Sequence, residues 1–206
     1  ERFRSLTRGA FDPAVEPLMR AWGFHAARTS PPSPAELAEA REAVRAARVR
    51  VDGSRVALGT STTQLDLGGI GVGYGLDRMA AVLRRSGIRR AFLDVSGDCV
   101  AIGAPPGESG WLVEIADPHL PGRARGHARL RDAALATSAN TVSVVRWGRA
   151  VRGHVMNPAT GYPASALVQA TVTAPTGIEA DALSTAMLVA PARYPGVIRA
   201  WSVGPA

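Results

Sequence analysis

The chain has 206 residues, 46% of them hydrophobic and 20% charged, which is typical of a globular protein with a sizeable core. The sequence contains no lysine, so a lysine Schiff base and the lysine of a P-loop are excluded. The net charge of +7 comes from dispersed arginines without the pattern of a nucleic-acid-binding module, and we expect no nucleic-acid partner.

Two further classes are excluded by what the sequence lacks. The single cysteine, Cys99, rules out an internal disulfide framework and a cysteine-rich zinc site, and it lies in an apolar strand pattern that predicts a small core residue. No apolar run approaches the roughly 20 residues that span a bilayer, so we expect no transmembrane segment in this chain.

The first half of the chain predicts two helices separated by extended segments. Ser33 and Glu36 form a capping-box pattern that starts a helix over residues 35–48. A hairpin turning at Asp52 and Gly53 is predicted over residues 49–58. A short strand over 64–67 then leads into the glycine-rich stretch 68–73 and a helix over 74–86.

The second half is dominated by short strands. A polar loop is predicted over 117–126, a tight loop over 157–161 and a helix over 177–189. Strands are predicted over 91–95, 99–102, 111–115, 128–130, 134–137, 142–147, 166–173 and 197–203. Few helices among many strands indicate an α+β fold with mixed, mainly antiparallel sheets.

Three segments carry candidate chemistry, each with an ordinary structural alternative. Four glycines in residues 68–73 suit phosphate binding at a helix N-terminus, or simply a tight turn. Asp181 and Thr185 share one helix face and suit Mg²⁺, although acidic residues near a cap at Thr176 are also common. His154 lies before a tight loop and is either structural or functional, and 96–98 and 136–138 have the composition of small-residue turns.

Taken together and in this order, several stretches resemble the FAD:protein FMN transferase family, the ApbE family, once described as thiamine-biosynthesis lipoproteins. The matching stretches are residues 9–13 with 18–24, 66–77, 96–98, 135–138, 154–161 and 180–186. They extend over nearly the whole chain, so the resemblance concerns the fold as well as the site.

The resemblance implies a T-fold-like flavin transferase domain with FAD bound in a cleft. It implies that Asp181 and His154 carry the chemistry. It places FAD against Ala10, Phe11, Asp12, Asp66, Gly71, Val72, Asp98, His154 and Val155. It assigns Mg²⁺ to the carbonyl of Gly69 and to Asp181, Ser184 and Thr185.

The activity implied is magnesium-dependent transfer of FMN from FAD to a Ser or Thr hydroxyl of a partner protein, with release of AMP. The expected acceptor is a membrane redox protein, and the expected location is extracytoplasmic or membrane-anchored. Residues 1–206 are expected to form a single flavin transferase domain that lacks the N-terminal part of the family domain.

Three positions depart from the family pattern. Val72 stands where relatives carry lysine, Asn157 where they carry aspartate, and Ser184 where an acidic residue is frequent. Two alternatives therefore stay open: a magnesium-dependent FAD pyrophosphatase with water as acceptor, and a relative that binds flavin without catalysis.

Overall fold

The computed structural model describes residues 1–205 and confirms an α+β fold in which strands outnumber helices. The helices are α1 (Arg2–Leu6), α2 (Glu16–Ala21), α3 (Pro34–Ala46), α4 (Gly71–Arg85) and α5 (Gly177–Val189), with a 3-10 turn at Pro13–Val15. The strands are β1 (Val49–Asp52), β2 (Arg55–Leu58), β3 (Ala91–Val95), β4 (Asp98–Ile102), β5 (Trp111–Ala116), β6 (Ala124–Leu130), β7 (Ala134–Ala139), β8 (Val144–Trp147), β9 (Ala150–Gly153), β10 (Gln169–Ala174) and β11 (Arg199–Val203).

A five-stranded antiparallel sheet in the order β11-β10-β7-β4-β3 is the centre of the molecule. Successive side chains of its strands alternate between two apolar surfaces. On β4, Val100 and Ile102 face one side, whereas Cys99 and Ala101 face the other. A strand that is buried on both faces reads as a continuous apolar run, as β4 does.

Helices α4 and α5 cover the first face of this sheet. Leu76 and Ala80 of α4 and Ala180 of α5 pack against Val100 of β4 in one cluster. Leu183 of α5 packs in a second cluster with residues of β10. Because α5 is largely apolar, ten of its thirteen residues are buried, as expected for such a helix.

The β5–β6 hairpin covers the opposite face. Ile115, Ala128 and Leu130 of the hairpin pack against Cys99 of β4 and Leu135 of β7. Cys99 is 1% exposed, which confirms it as a small core residue, and burial raises the pKa of its thiol to about 12. The central sheet is therefore the middle layer between a helical pair and a hairpin.

Local signals predicted several elements well. Ser33 and Glu36 form the complete capping box of α3, the hairpin over 49–58 is formed by β1 and β2, and α5 has the predicted bounds. The predicted strand over 64–67 is wrong, because no neighbouring strand pairs with this segment. Its backbone makes a single hydrogen bond to a distant segment, from the Asp66 amide to the Pro13 carbonyl oxygen.

Other differences lie at the edges of elements. Residues 136–138 belong to strand β7 and are not a turn, since β7 pairs with β10 on one side. Strand β6 begins within the predicted polar loop 117–126, while α1, α2 and β9 are short elements that the sequence did not predict. Among residues 1–205, no helix combines the length and apolar character needed to cross a bilayer.

Candidate functional site

A cleft of about 300 Å³ opens between the N-terminal segment, the loop before α4 and the sheet end that α5 covers. This volume lies at the lower end of the range of ligand pockets. Most of the residues that the sequence assigns to a flavin and metal site line it. These are Ala10, Phe11, Asp12, Asp66, Gly69, Asp98, His154, Val155, Asp181 and Thr185.

The crossing of α4 and α5 positions the carboxylate of Asp181. The two helices approach so closely at Gly73 that an added Cβ would lie 2.2 Å from the carbonyl oxygen of Gly177. The Gly73 amide, in the first turn of α4, donates to Asp181 Oδ2 at 2.9 Å. In return, Asp77 of α4 accepts hydrogen bonds from the Gly177 and Ile178 amides at the start of α5.

Each helix thus provides an aspartate that satisfies amides at the N-terminus of the other. These amides have no partner within their own helix, and the positive end of the helix dipole favours a carboxylate there. The reciprocal arrangement fixes Asp181 at the floor of the cleft.

The buried carboxylate of Asp181 and the half-buried carboxylate of Asp98 line the cleft, and no arginine contributes to the pKa of either. Burial, followed by the charge of Asp98, raises the pKa of Asp181 to about 7 although the Gly73 amide opposes the shift. Burial and the charge of Asp94 raise the pKa of Asp98 to about 6, against the effect of the Thr137 amide. Such shifts mark a place where a cation is favourable.

Hydroxyl groups lie next to these carboxylates. Ser138 Oγ, at the end of β7, is 3.0 Å from Thr185 Oγ1 and 2.8 Å from Ser184 Oγ. Ser184 itself is fully buried, donates to the carbonyl oxygen of Asp181 at 2.9 Å and does not line the cleft. The structure therefore brings Ser138, and not Ser184, to the cleft wall.

The glycine loop completes this end of the cleft. A Cβ added at Gly69 would lie 2.9 Å from Thr185 Oγ1 and 3.4 Å from the Phe11 ring, so only glycine lets this backbone approach the α5 hydroxyl. Asp181, Thr185, Ser138 and the Gly69 backbone provide oxygen donors, which a hard cation such as Mg²⁺ prefers. The residues present therefore fit Mg²⁺.

The N-terminal segment forms the opposite wall. Asp12 is buried, with Oδ1 accepting from the Ala14 amide at 2.9 Å and Oδ2 paired with Arg4 Nε at 2.9 Å. Burial nevertheless raises the pKa of Asp12. Since both of its oxygens have partners, Asp12 shapes this wall beside Ala10 and Phe11.

His154 contributes a polar atom with no partner. Its Nδ1 is buried and makes no hydrogen bond within residues 1–205. Burial lowers the pKa of His154, so its imidazole is neutral at pH 7. A buried, unpaired ring nitrogen in a ligand cleft is available to a ligand.

Besides Ser184, two further sequence-assigned residues stay outside the lining. Gly71 and Val72 belong to the first turn of α4, and Val72 is 36% exposed. Conversely, Met19, Thr137, Ser138, Val142 and Met156 line the cleft without having been assigned to it. A signal could have found four of these five, because Met19, Thr137, Ser138 and Met156 lie within the family-like stretches 18–24, 135–138 and 154–161.

Comparison with known proteins supports the same conclusion. The model of the ApbE family matches residues 1–199. A FAD:protein FMN transferase of Rhodobacter capsulatus is 33% identical over 189 residues, covering 89% of this chain and 36% of that protein. One of Treponema pallidum is 31% identical over 212 residues, covering 91% of this chain and 56% of that protein.

Solved structures agree with the sequence matches. An ApbE protein of Thermotoga maritima superposes with a TM-score of 0.82 at 32% identity, covering 91% of this chain and 62% of that one. The apo flavinyl transferase ApbE of Pseudomonas stutzeri gives a TM-score of 0.76 at 27% identity, with 91% and 59% covered. The chain thus spans less than two thirds of the relatives named here, and over that span it belongs to the ApbE family.

Proposed function

We propose that this chain transfers FMN from FAD to a Ser or Thr hydroxyl of a partner protein, with Mg²⁺, and releases AMP. The observation that carries the proposal is one cleft joining the paired carboxylates Asp181 and Asp98, the Gly69–Thr185 contact and the unpaired Nδ1 of His154. The names of the relatives, FAD:protein FMN transferases, supply the reaction class.

The metal would be held by Asp181, Thr185 and the Gly69 carbonyl. When bound there, Mg²⁺ supplies positive charge to the pyrophosphate oxygens of FAD, where negative charge develops as AMP departs. Asp98 adds a second negative charge beside Asp181 and so favours a divalent cation at this end of the cleft. The Gly73 amide holds the Asp181 carboxylate in place.

The apolar part of the cleft suits the flavin ring. Phe11, Val155 and Met156 are buried side chains on its walls, and Met19 lies beside them. Apolar walls exclude water from the reacting phosphate, which favours transfer to a protein hydroxyl over hydrolysis.

His154 provides a place for the proton of the acceptor hydroxyl. In the transfer, the hydroxyl oxygen forms a bond to the FMN phosphorus, the pyrophosphate P–O bond breaks, and AMP leaves with the electron pair. The hydroxyl proton passes to a base, and His154, which lines the cleft, has a neutral imidazole with an unpaired Nδ1 that can accept it.

The test is a coupled assay of the chain with FAD, Mg²⁺ and a Ser- or Thr-containing acceptor peptide. We expect Mg²⁺-dependent AMP release together with flavin fluorescence that migrates with the peptide. Asp181→Asn should lower AMP release by about 100-fold or more, the scale for losing one preorganised charged group in an active site. Asp52→Asn, in the exposed β1–β2 hairpin, is the matched control and should leave the rate unchanged.

The other outcomes separate the alternatives. AMP release without labelled peptide would indicate a FAD pyrophosphatase, and tight FAD binding without AMP would indicate a flavin-binding relative. An Asp181→Asn variant with the full Mg²⁺-dependent rate would show that the metal assignment is wrong.

A further inference from the structure

A second group of side chains that could bind a metal ion lies beside the cleft and shares one residue, Asp66, with its lining. Glu16, His25 and Asp66 each offer one ligand atom, and these atoms lie within 4.8 Å of one another. The three residues come from the start of α2, the segment after α2 and the loop before α4. Within residues 1–205, this is the one such group of three.

We propose that Glu16, His25 and Asp66 bind a divalent transition-metal ion of the Zn²⁺ type. The site is distinct from the oxygen-only set around Asp181, because one of its three donors is an imidazole nitrogen. Its existence does not depend on the transfer reaction, since the geometry of the three side chains alone supports it.

Two of the ligands are held in position by other groups. The Glu16 side chain is only 10% exposed, and its Oε1 receives Arg20 Nε at 2.6 Å. Asp66 Oδ1 accepts from the Gly68 amide at 2.7 Å, which leaves Oδ2 free to bind an ion. Clusters of mobile surface carboxylates are common, whereas a buried carboxylate oriented by a neighbouring arginine resembles the supported ligands of metal sites.

The donor set favours zinc-like ions over Mg²⁺. Two of the three donors are carboxylates and Arg20 offsets the charge of only one of them, so the site favours a cation. Imidazole suits Zn²⁺, Co²⁺ and Ni²⁺, whereas Mg²⁺ prefers oxygen ligands alone. Three protein ligands leave one coordination position open, the arrangement found in catalytic zinc sites.

The present contact between Glu16 and His25 is compatible with this role. His25 Nδ1 lies 2.6 Å from Glu16 Oε2, the distance of a short hydrogen bond. Neighbouring ligand atoms of a tetrahedral zinc ion lie about 3.3 Å apart, given bonds of about 2.0–2.1 Å. Binding must therefore open this contact by about 0.7 Å and displace any proton on Nδ1. The His25 side chain is 42% exposed and has room to move.

Occupancy would connect the site to the cleft through Asp66. Asp66 lines the cleft, and its amide donates to the carbonyl of Pro13 at 2.8 Å. An ion bound to Glu16, His25 and Asp66 would therefore fix the loop before α4 against the start of α2.

The experiment is a titration of the metal-depleted chain with Co²⁺, followed by displacement with Zn²⁺. We expect one Co²⁺ with the visible absorption of a nitrogen-containing site of low coordination number. His25→Gln and Glu16→Gln should each weaken binding by about 100-fold or more, since loss of even a supporting group costs about 10–100-fold. Asp181→Asn should keep the visible bands, because the oxygen-only set is separate.

His127→Gln is the matched control. His127 Nε2 lies 3.6 Å from Glu114 Oε1, a histidine–carboxylate pair without a third ligand in the described part of the chain. Its substitution should leave Co²⁺ affinity unchanged.

His25→Gln changes a partly exposed side chain, which is not part of the core. Its effect on Co²⁺ affinity can therefore be interpreted even if Glu16→Gln lowers the melting temperature of the metal-free chain. The proposal would be overturned if His25→Gln left the Co²⁺ affinity unchanged, or if His25→Gln and His127→Gln lowered it equally. Absence of any visible Co²⁺ bands would also overturn it.

Discussion

At the residue scale, the raised pKa of Asp181 makes magnesium binding depend on pH. Its folded pKa of about 7 lies above the ordinary 3.8, so below about pH 7 a proton occupies the carboxylate that the cation needs. We expect Mg²⁺ affinity to fall as pH drops from 8 to 5, approaching about tenfold per pH unit for one competing proton.

Calorimetric titration of the chain with Mg²⁺ at a series of pH values measures this dependence. Asp98→Asn removes the neighbouring charge and should move the midpoint of the profile to lower pH, because the charge of Asp98 raises the pKa of Asp181. An affinity that stays constant between pH 5 and 8 would contradict the assignment of Asp181 as the metal ligand.

Val72 is the residue at which a gain of FAD affinity is expected. It lies in the first turn of α4, one residue before Gly73, and the resemblance assigns it to the flavin site. Val72→Lys would bring a cation close to the diphosphate, and a hydrogen bond to a charged group contributes about 1.5–3 kcal/mol. We expect FAD affinity to rise about tenfold, with a steeper dependence on salt.

Fluorescence titration with FAD at two ionic strengths checks this expectation. Met79→Lys is the control, because Met79 lies on the same helix with a similar exposure of 42% but about two turns beyond the first turn, which holds Val72 and contacts Asp181. If Val72→Lys and Met79→Lys raised FAD affinity equally, the net charge of the chain alone would account for the increase.

At the element scale, the contact between α4 and α5 both stabilises the molecule and positions Asp181. A Cβ at Gly73 would meet Gly177 O at 2.2 Å and Asp181 Cβ at 2.8 Å, so Gly73→Ala must force the helices apart. We expect a loss of about 3 kcal/mol or more in the free energy of unfolding, the upper range for overpacking. The melting temperature should fall by about 6–12 °C.

Gly75→Ala is the matched control on the same helix. A Cβ there meets no atom within 4 Å, so the substitution should stabilise α4 by about 0.5–1 kcal/mol through helix propensity. Thermal and urea unfolding of the two variants measure both effects. Similar stabilities would show that the helices do not pack as closely as described.

At the scale of the whole molecule, the cleft is built from segments far apart in the chain. Phe11, Asp66, Asp98, His154 and Asp181 all line it. A ligand that contacts these segments binds the folded chain and not the unfolded one, so it stabilises folding by about 2.7 kcal/mol at a hundredfold excess over its Kd. With FAD and Mg²⁺ together, we expect the melting temperature to rise by about 5–10 °C.

Scanning calorimetry with FAD alone, Mg²⁺ alone and both together measures this stabilisation. Because the two ligands meet at Asp181, the joint shift should exceed the sum of the separate shifts. Asp181→Asn should abolish that excess, and a purely additive result would place the two ligands apart.

Local physics explains what the sequence by itself determined about this protein. The capping box at Ser33, the turn at Asp52 and Gly53, and the predominantly apolar sequence of α5 after its cap at Thr176 depend on residues near one another in the chain. The α+β class follows from the same short-range patterns. The resemblance of ordered motifs indicated the family.

Only the tertiary structure decided which groups meet. Residues 64–67 have the composition of a strand but find no partner strand, and residues 136–138 are drawn into β7 because β10 lies alongside. Ser184 points into the helix–sheet interface while Ser138 reaches the cleft, a choice set by how α5 packs on β7. The raised pKa values of Asp181 and Asp98 likewise require the fold, since burial and the proximity of charges depend on positions in space. The same holds for the cluster of Glu16, His25 and Asp66.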